Sequence, residues 1–265
     1  MSSTNNTTEA ARSRSSAARV SDLMKRASLL AERGMYEEAI AHVEKAIAIC
    51  PQEPRCSLEL ANLYRAQNRF VQAVEAIRRA VELDPLNTSA QEQLMQILVD
   101  LGRYDEAIAA GRRLLGQFPK NLYARDVLGI AYVQQGRLDK ALEVTNELIR
   151  LAPSDPAHHF KKAVLMQQKG EVAHAMAEFL RVVELDPDGD MAEDAREAIG
   201  ALDGYQLRQV LTIAIEDMVF RTKLTLDPES ASRERGFLLS SAGVAALRQI
   251  DIDELPGEAR NRFYH

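Results

Sequence analysis

Residues 69–85 read Arg69-Phe-Val-Gln-Ala73-Val-Glu-Ala-Ile-Arg-Arg-Ala80-Val-Glu-Leu-Asp-Pro85. The stretch has the spacing of an amphipathic helix, with a proline just past its end. The same plan recurs at one fixed distance along the chain. Ala39, Ala73, Ala107, Ala141 and Ala175 are each 34 residues apart, and so are Pro51, Pro85, Pro119, Pro153 and Pro187. A period in this range, with one supersecondary unit per period, specifies a helical solenoid. One matching column would decide nothing. Two independent columns, each complete over five periods, decide the architecture.

Framing the repeats as 20–53, 54–87, 88–121, 122–155 and 156–189 puts Gly34, Asn68, Gly102, Gly136 and Gly170 at the fifteenth position. The chain must turn there between two helices, and Gly or Asn supplies the positive φ such a turn needs. Tyr36, Phe70, Tyr104, Leu138 and Val172 follow as apolar residues opening each second helix. The eighth position holds Ala27, Ala61, Met95, Gly129 and Ala163. Small residues there and at the alanine column let two helix axes approach closely. The third repeat departs twice: Met95 replaces a small residue, and Gly111 stands where the others carry Val43, Ile77, Thr145 and Phe179. These two departures are expected to be one volume exchange across the hairpin.

With these residues in view, residues 20–189 resemble five tetratricopeptide repeats. The family's small residue, aromatic, alanine and proline are met by Ala61, Tyr64, Ala73 and Pro85, and again by Gly129, Tyr132, Ala141 and Pro153. The resemblance implies an all-α, right-handed superhelical solenoid of helix-turn-helix repeats, followed here by a C-terminal helical extension. The domain reading is a disordered N-terminal tail at 1–18, five repeats at 19–189, a capping helix at 190–203, and a helical extension or small helical module at 204–265. Residues 1–18 are rich in Ser, Thr and Asn and lack the apolar core of a secretory signal.

Beyond Pro187 the 34-residue frame is lost. Residues 191–202 have helical spacing, 205–226 read as one longer helix, Asp227-Pro228 opens a short helix that Gly236 ends, and Ser240 or Ser241 caps a last one. The pattern Phe220-Arg-x-Lys-Leu-x-Leu-Asp-Pro228 … Arg235-Gly-Phe237-x-Leu-Ser240 … Ala245-Ala-Leu247 resembles a small bacterial helical module. That module occurs in leader regions of enzymatically modified peptides and in small subunits of ring-opening dioxygenases. It implies a second reading, an accessory recognition factor for a peptide-modifying or biosynthetic system using residues 205–256. A regulatory subunit of an enzyme complex is the third.

Composition excludes other classes. Hydrophobic residues make up 46% of the 265, enough for a continuous core, and a net charge of −6 offers no basic field for nucleic acid. No apolar run approaches the roughly 18 residues of a membrane span. Cys50 and Cys56 have neither disulfide-framework nor zinc spacing and read as apolar fillers in a reducing compartment, with cytoplasmic location expected. Ser240-Ser241-Ala-Gly243 is no nucleophile elbow, since Leu239 occupies the first glycine's place. No phosphate loop or paired metal motif is present, and His158, His159 and His174 read as exposed polar residues. The chain is therefore expected to be non-catalytic, with no cofactor and no metal.

Function then falls to the groove that the resemblance implies, lined by fixed positions of each first helix. Carried over, these include Arg55, Asn62 and Arg65, then Gln96, then Tyr123, Ile130, Val133 and Gln134, then Phe160, Val164 and Gln167. Arg55, Asn62 and Arg65 are expected to converge on a carboxylate or backbone of a bound segment. Tyr123, Ile130, Val133, Phe160 and Val164 are expected to expose an apolar patch. Met24, Ser28, Ser89 and Gln93 occupy the places where chaperone-binding members carry their carboxylate clamp, which excludes that specificity. The partner expected is a protein or peptide segment; association of several copies of the chain is compatible with this reading.

Overall fold

The structure, a computed structural model, describes residues 2–252, with side chains from residue 15. Among the described residues every element is a helix. Two compact units divide the chain, the first ending at Arg137 and the second starting at Leu138.

The first unit holds α1 (Ser2–Glu32), α2 (Tyr36–Ile49), α3 (Pro54–Ala66), α4 (Phe70–Leu83), α5 (Thr88–Asp100), α6 (Tyr104–Gln117) and α7 (Leu122–Gln134). The segment expected as a disordered tail forms the first part of α1 from Ser2. Each hairpin turn is built the same way. Gly34, Asn68, Gly102, Gly136 and Gly170 all have positive φ, between 58° and 78°. The next backbone N–H reaches back to the end of the preceding helix, as in Arg69 to Tyr64 O at 2.8 Å and Arg103 to Leu98 O at 2.8 Å. This is the Schellman closure, and it satisfies carbonyls that the helix end leaves open. The first helices α5 and α7 begin on side-chain caps: Asn87 Oδ1 accepts from Ala90 N at 3.0 Å, and Asn121 Oδ1 from Ala124 N at 2.7 Å, whereas α3 opens on Pro54 without one.

Packing follows the small-residue columns. Ala39, Ala73 and Ala107 are buried, as are Ala27 and Ala61 opposite them. In the third hairpin the expected exchange is present. A Cβ built on Gly111 would lie 2.7 Å from Met95 Cε and 2.9 Å from Leu128 Cδ2, so the methionine's end occupies the space a side chain at 111 would need. The aromatic column has a second use. Arg69 lies over the Tyr64 ring at 4.6 Å and Arg137 over Tyr132 at 5.0 Å, a cation–π contact at the turn. The third repeat has Leu98 instead, and there Arg103 pairs with Glu106 at 2.6 Å.

Cys56 is fully buried at the start of α3, whereas Cys50 is half-buried, and neither is paired. Burial first, then the nearby Glu53 and Cys50, push the Cys56 thiol up to about 11. The thiolate is the nucleophile, so Cys56 is expected to resist alkylation near neutral pH. Iodoacetamide labelling of native protein, read by mass spectrometry, should mark Cys50 well before Cys56; equal labelling would contradict the burial.

The second unit holds α8 (Leu138–Leu151), α9 (Pro156–Gln168), α10 (Val172–Leu185), α11 (Asp190–Glu216), α12 (Met218–Leu226), α13 (Pro228–Glu234) and α14 (Ser241–Arg248). The two helices expected around 203 are one helix, the 27-residue α11. Asp203-Gly204 does not break it, because Ile199, Leu202, Gln206 and Val210 keep helical phase through that point and are all buried. Its first half packs Ala195, Ile199 and Leu202 on Met176 and Phe179 of α10. Its second half packs Val210 and Ala214 into a separate core with Phe220, Leu224, Leu239, Val244 and Leu247. The helix expected over 205–226 instead breaks at Asp217, whose side chain caps α12 by accepting from Val219 N at 3.0 Å and Phe220 N at 2.9 Å. An Asp that offers its own acceptor competes with helix continuation. Ser240 caps α14, its Oγ accepting from Gly243 N at 3.1 Å. The part of the tail beyond Ile252 lies outside the described residues.

Candidate functional site

The outward faces of α3, α5 and α7 carry the sequence-derived site residues of the first unit. Gln96, mid-way along α5, links two of these helices. Its Oε1 accepts from the Tyr123 hydroxyl at 3.1 Å, and its Nε2 donates to Asp100 Oδ1 at 2.8 Å. One turn earlier, Glu92 Oε1 accepts from Asn121 Nδ2 at 2.6 Å, fastening the loop before α7 to α5. On α7 the apolar members stand in the open: Tyr123 is 41% and Ile130 45% exposed. Val133 beside them is half-buried, and Gln134 is exposed at the helix end. The Tyr123 hydroxyl is held above its usual range, by partial burial first and then by Glu92 and Asp100, with Arg65 acting the other way.

Arg55, Asn62 and Arg65 do not form one spot. Arg55 and Arg65 lie near opposite ends of the 13-residue α3, ten positions apart. At about 1.5 Å rise per residue that separates them by roughly 15 Å along the axis. Arg55 lines a cleft with Val20, Met24, Glu53 and Cys56, while Arg65 belongs to the neighbourhood of Tyr123. Sharing a helix face does not mean sharing a position along it.

Three site residues belong to the second unit and are described there. Phe160 meets Phe179 edge-on, centroids 5.4 Å apart, and with Val164 packs partly onto that unit's α9–α11 core. Both are half-buried, and Gln167 is exposed.

Two buried polar groupings escaped the sequence reading. His158 and His159 are buried, not exposed; only His174 is open to solvent. His159 Nδ1 lies 2.7 Å from Glu178 Oε2 and its Nε2 lies 3.1 Å from Pro153 O, while Lys162 Nζ reaches Glu178 Oε1 at 2.6 Å. The signal was Glu178 itself, which stands where the other repeats carry His42, Ala76, Ala110 and Val144. Burial acts to raise the Glu178 carboxyl, but Lys162 and His159 outweigh it and hold it below the usual carboxylate range. A carboxyl depressed on folding stabilises the fold above its unfolded value, and that stability is lost as pH falls through the folded one. Glu178→Gln should therefore melt lower than the parent at neutral pH and lose less on acidification below about pH 4.5. Parallel melting curves down to pH 3, the gap unchanged, would contradict the pairing.

The second grouping pins the C-terminal loop. Gln206 exchanges two hydrogen bonds with Leu238, Nε2 to O at 2.8 Å and N to Oε1 at 2.9 Å. Asp203 accepts from Ser240 N at 2.9 Å and from the Ser240 hydroxyl. That hydroxyl is committed to the carboxylate and to the α14 cap, so it is a structural group. Among the described residues no three His, Cys, Asp or Glu side chains could share a metal ion, and no helix is long and apolar enough to cross a membrane.

Comparison with known proteins yields one family. The tetratricopeptide repeat family model matches residues 15–185. No curated protein matches. Among solved structures, MamA (residue 41 to its end) from Desulfovibrio magneticus RS-1 is 19% identical with a TM-score of 0.57, covering 65% of this chain and 97% of that one. YrrB, described as a TPR protein with an unusual peptide-binding site, is 20% identical with a TM-score of 0.55, covering 66% of this chain and 90% of that one. At this identity the likeness extends to the fold.

Proposed function

We propose, from the premise that this chain belongs to the tetratricopeptide-repeat family, that it is a non-catalytic scaffold seating a segment of a partner protein on the faces of α3, α5 and α7. The observation carrying this reading is the exposed Tyr123 and Ile130 ledge beside the Gln96 relay. Exposed apolar groups set among ordered polar ones are what an interface offers: area for burial, and directional bonds for register. The peptide-binding site described for YrrB is a property of that protein; it supports the class of function proposed here. Asn62, Arg65, Gln96, Val133 and Gln134 are the further contacts proposed on this wall. Arg55 is a contact at the far end of α3, and Phe160, Val164 and Gln167 are contacts within the second unit. The domain limit at 189 is likewise proposed, while the second core draws on Val210 and Ala214 of the continuous α11 and so sets no limit at 203.

The test is Ile130→Asp. A carboxylate in the middle of the ledge should weaken binding of a captured partner by about a hundredfold, the scale of losing one buried apolar anchor at an interface. Helicity should be unchanged, because the side chain is exposed. Unaltered affinity by titration calorimetry would remove the wall from consideration.

A second reading has its own observation. Met218, Val219 and Leu226 on α12 are 63%, 69% and 82% exposed, on a module with its own core. That arrangement favours residues 205–252 as a separate recognition element.

A further inference from the structure

The ledge on α7 is flanked by unequal charge. Glu92 and Asp100 bracket Gln96 on α5, and each is tied into the wall by a neutral donor: Asn121 for Glu92, Gln96 for Asp100. Neutral donors orient a carboxylate without cancelling its charge. Arg65 of α3 is the base that acts on Tyr123 from the neighbouring helix. The Tyr123 hydroxyl, which donates to Gln96 Oε1 at 3.1 Å, places the α7 ledge beside this acidic face of α5.

We propose that the wall accepts a segment of another protein that presents a lysine or arginine next to an apolar residue. The apolar residue covers Ile130 and Val133, and the cation sits against Asp100 and Glu92. This rests on the scaffold reading above and names the partner's chemistry. Charge complementarity selects the occupant: a carboxylate entering the same place meets two like charges, whereas a cation exchanges water for two oriented acceptors. Low-salt conditions should strengthen the contact, because the wall is open to solvent and its charges are screened by ions.

Panning random dodecapeptides on phage against the full chain tests this without a known partner. The expected pool is enriched in Lys or Arg adjacent to an apolar residue. A synthetic consensus peptide should lose about tenfold in affinity when its cation becomes norleucine, and about the same when the protein carries Glu92→Gln with Asp100→Asn. The norleucine peptide should bind both proteins alike. Peptides that need Ile130 but show no cationic preference would overturn the inference and leave the scaffold reading standing. Failure to enrich any peptide dependent on Ile130 would overturn both. Self-association of the chain that the same two neutralising substitutions abolish would make a second copy the occupant, and so overturn the foreign-segment assignment.

Discussion

Replacing Met95 by alanine is expected to destabilise the protein by about 2–4 kcal/mol, the range for emptying a buried methionine's site. The side chain is fully buried, and its Cε fills the space beside Gly111. The companion substitution discriminates more sharply. Gly111→Ala alone should destabilise by about 1–3 kcal/mol, because the new Cβ would fall 2.7 Å from Met95 Cε and 2.9 Å from two Leu128 carbons. With Met95→Ala already present, Gly111→Ala should cost less than it does alone, because the Met95 Cε clash is gone while the two Leu128 carbons remain. Urea denaturation of the four proteins gives the coupling directly. Additive effects of one sign would show that methionine and glycine are independent features.

Asp203→Ala should have an effect of similar size in the other unit. It removes the acceptor for both the amide and the hydroxyl of Ser240, leaving buried donors unsatisfied, at a cost of about 2–4 kcal/mol. Gly243→Ala should act on the same group from the opposite side, since its Cβ would collide with the Asp203 carboxylate. Limited proteolysis should then open the 236–240 loop in both variants while α8–α10 stay protected. A change under about 0.5 kcal/mol for Asp203→Ala would mean that the loop is held by its apolar contacts alone.

Much of this molecule was legible because its constraints are local. A turn that needs positive φ declares itself as glycine or asparagine, and the five such positions all adopt it. The Met95–Gly111 exchange was legible as well, because a departure in one column invites a search for its complement in another. What could not be read were partners distant in sequence. Asp203 looks like a helix breaker until Ser240, 37 positions away, is seen to hold its carboxylate. His159 looks like surface filler until Glu178 of the next helix lies 2.7 Å from it. Asp217 failed in the opposite direction: its apolar neighbours kept helical phase, yet its side chain caps a new helix and ends the old one. The site residues were legible as a helix face, while their separation along that face depended on length, and Arg55 and Arg65 were misjudged for that reason.

The central claim is that partners dock on the α3–α5–α7 face. Photocrosslinking in living cells tests it most directly, with p-benzoylphenylalanine placed at Ile130 on α7 or, in a separate strain, at the exposed Val71 on α4. Discrete adducts to another protein from position 130, absent from position 71 and abolished by Tyr123→Ala with Gln96→Ala, are the expected result. No adduct from 130, or the same adducts from both positions, would contradict docking on that wall.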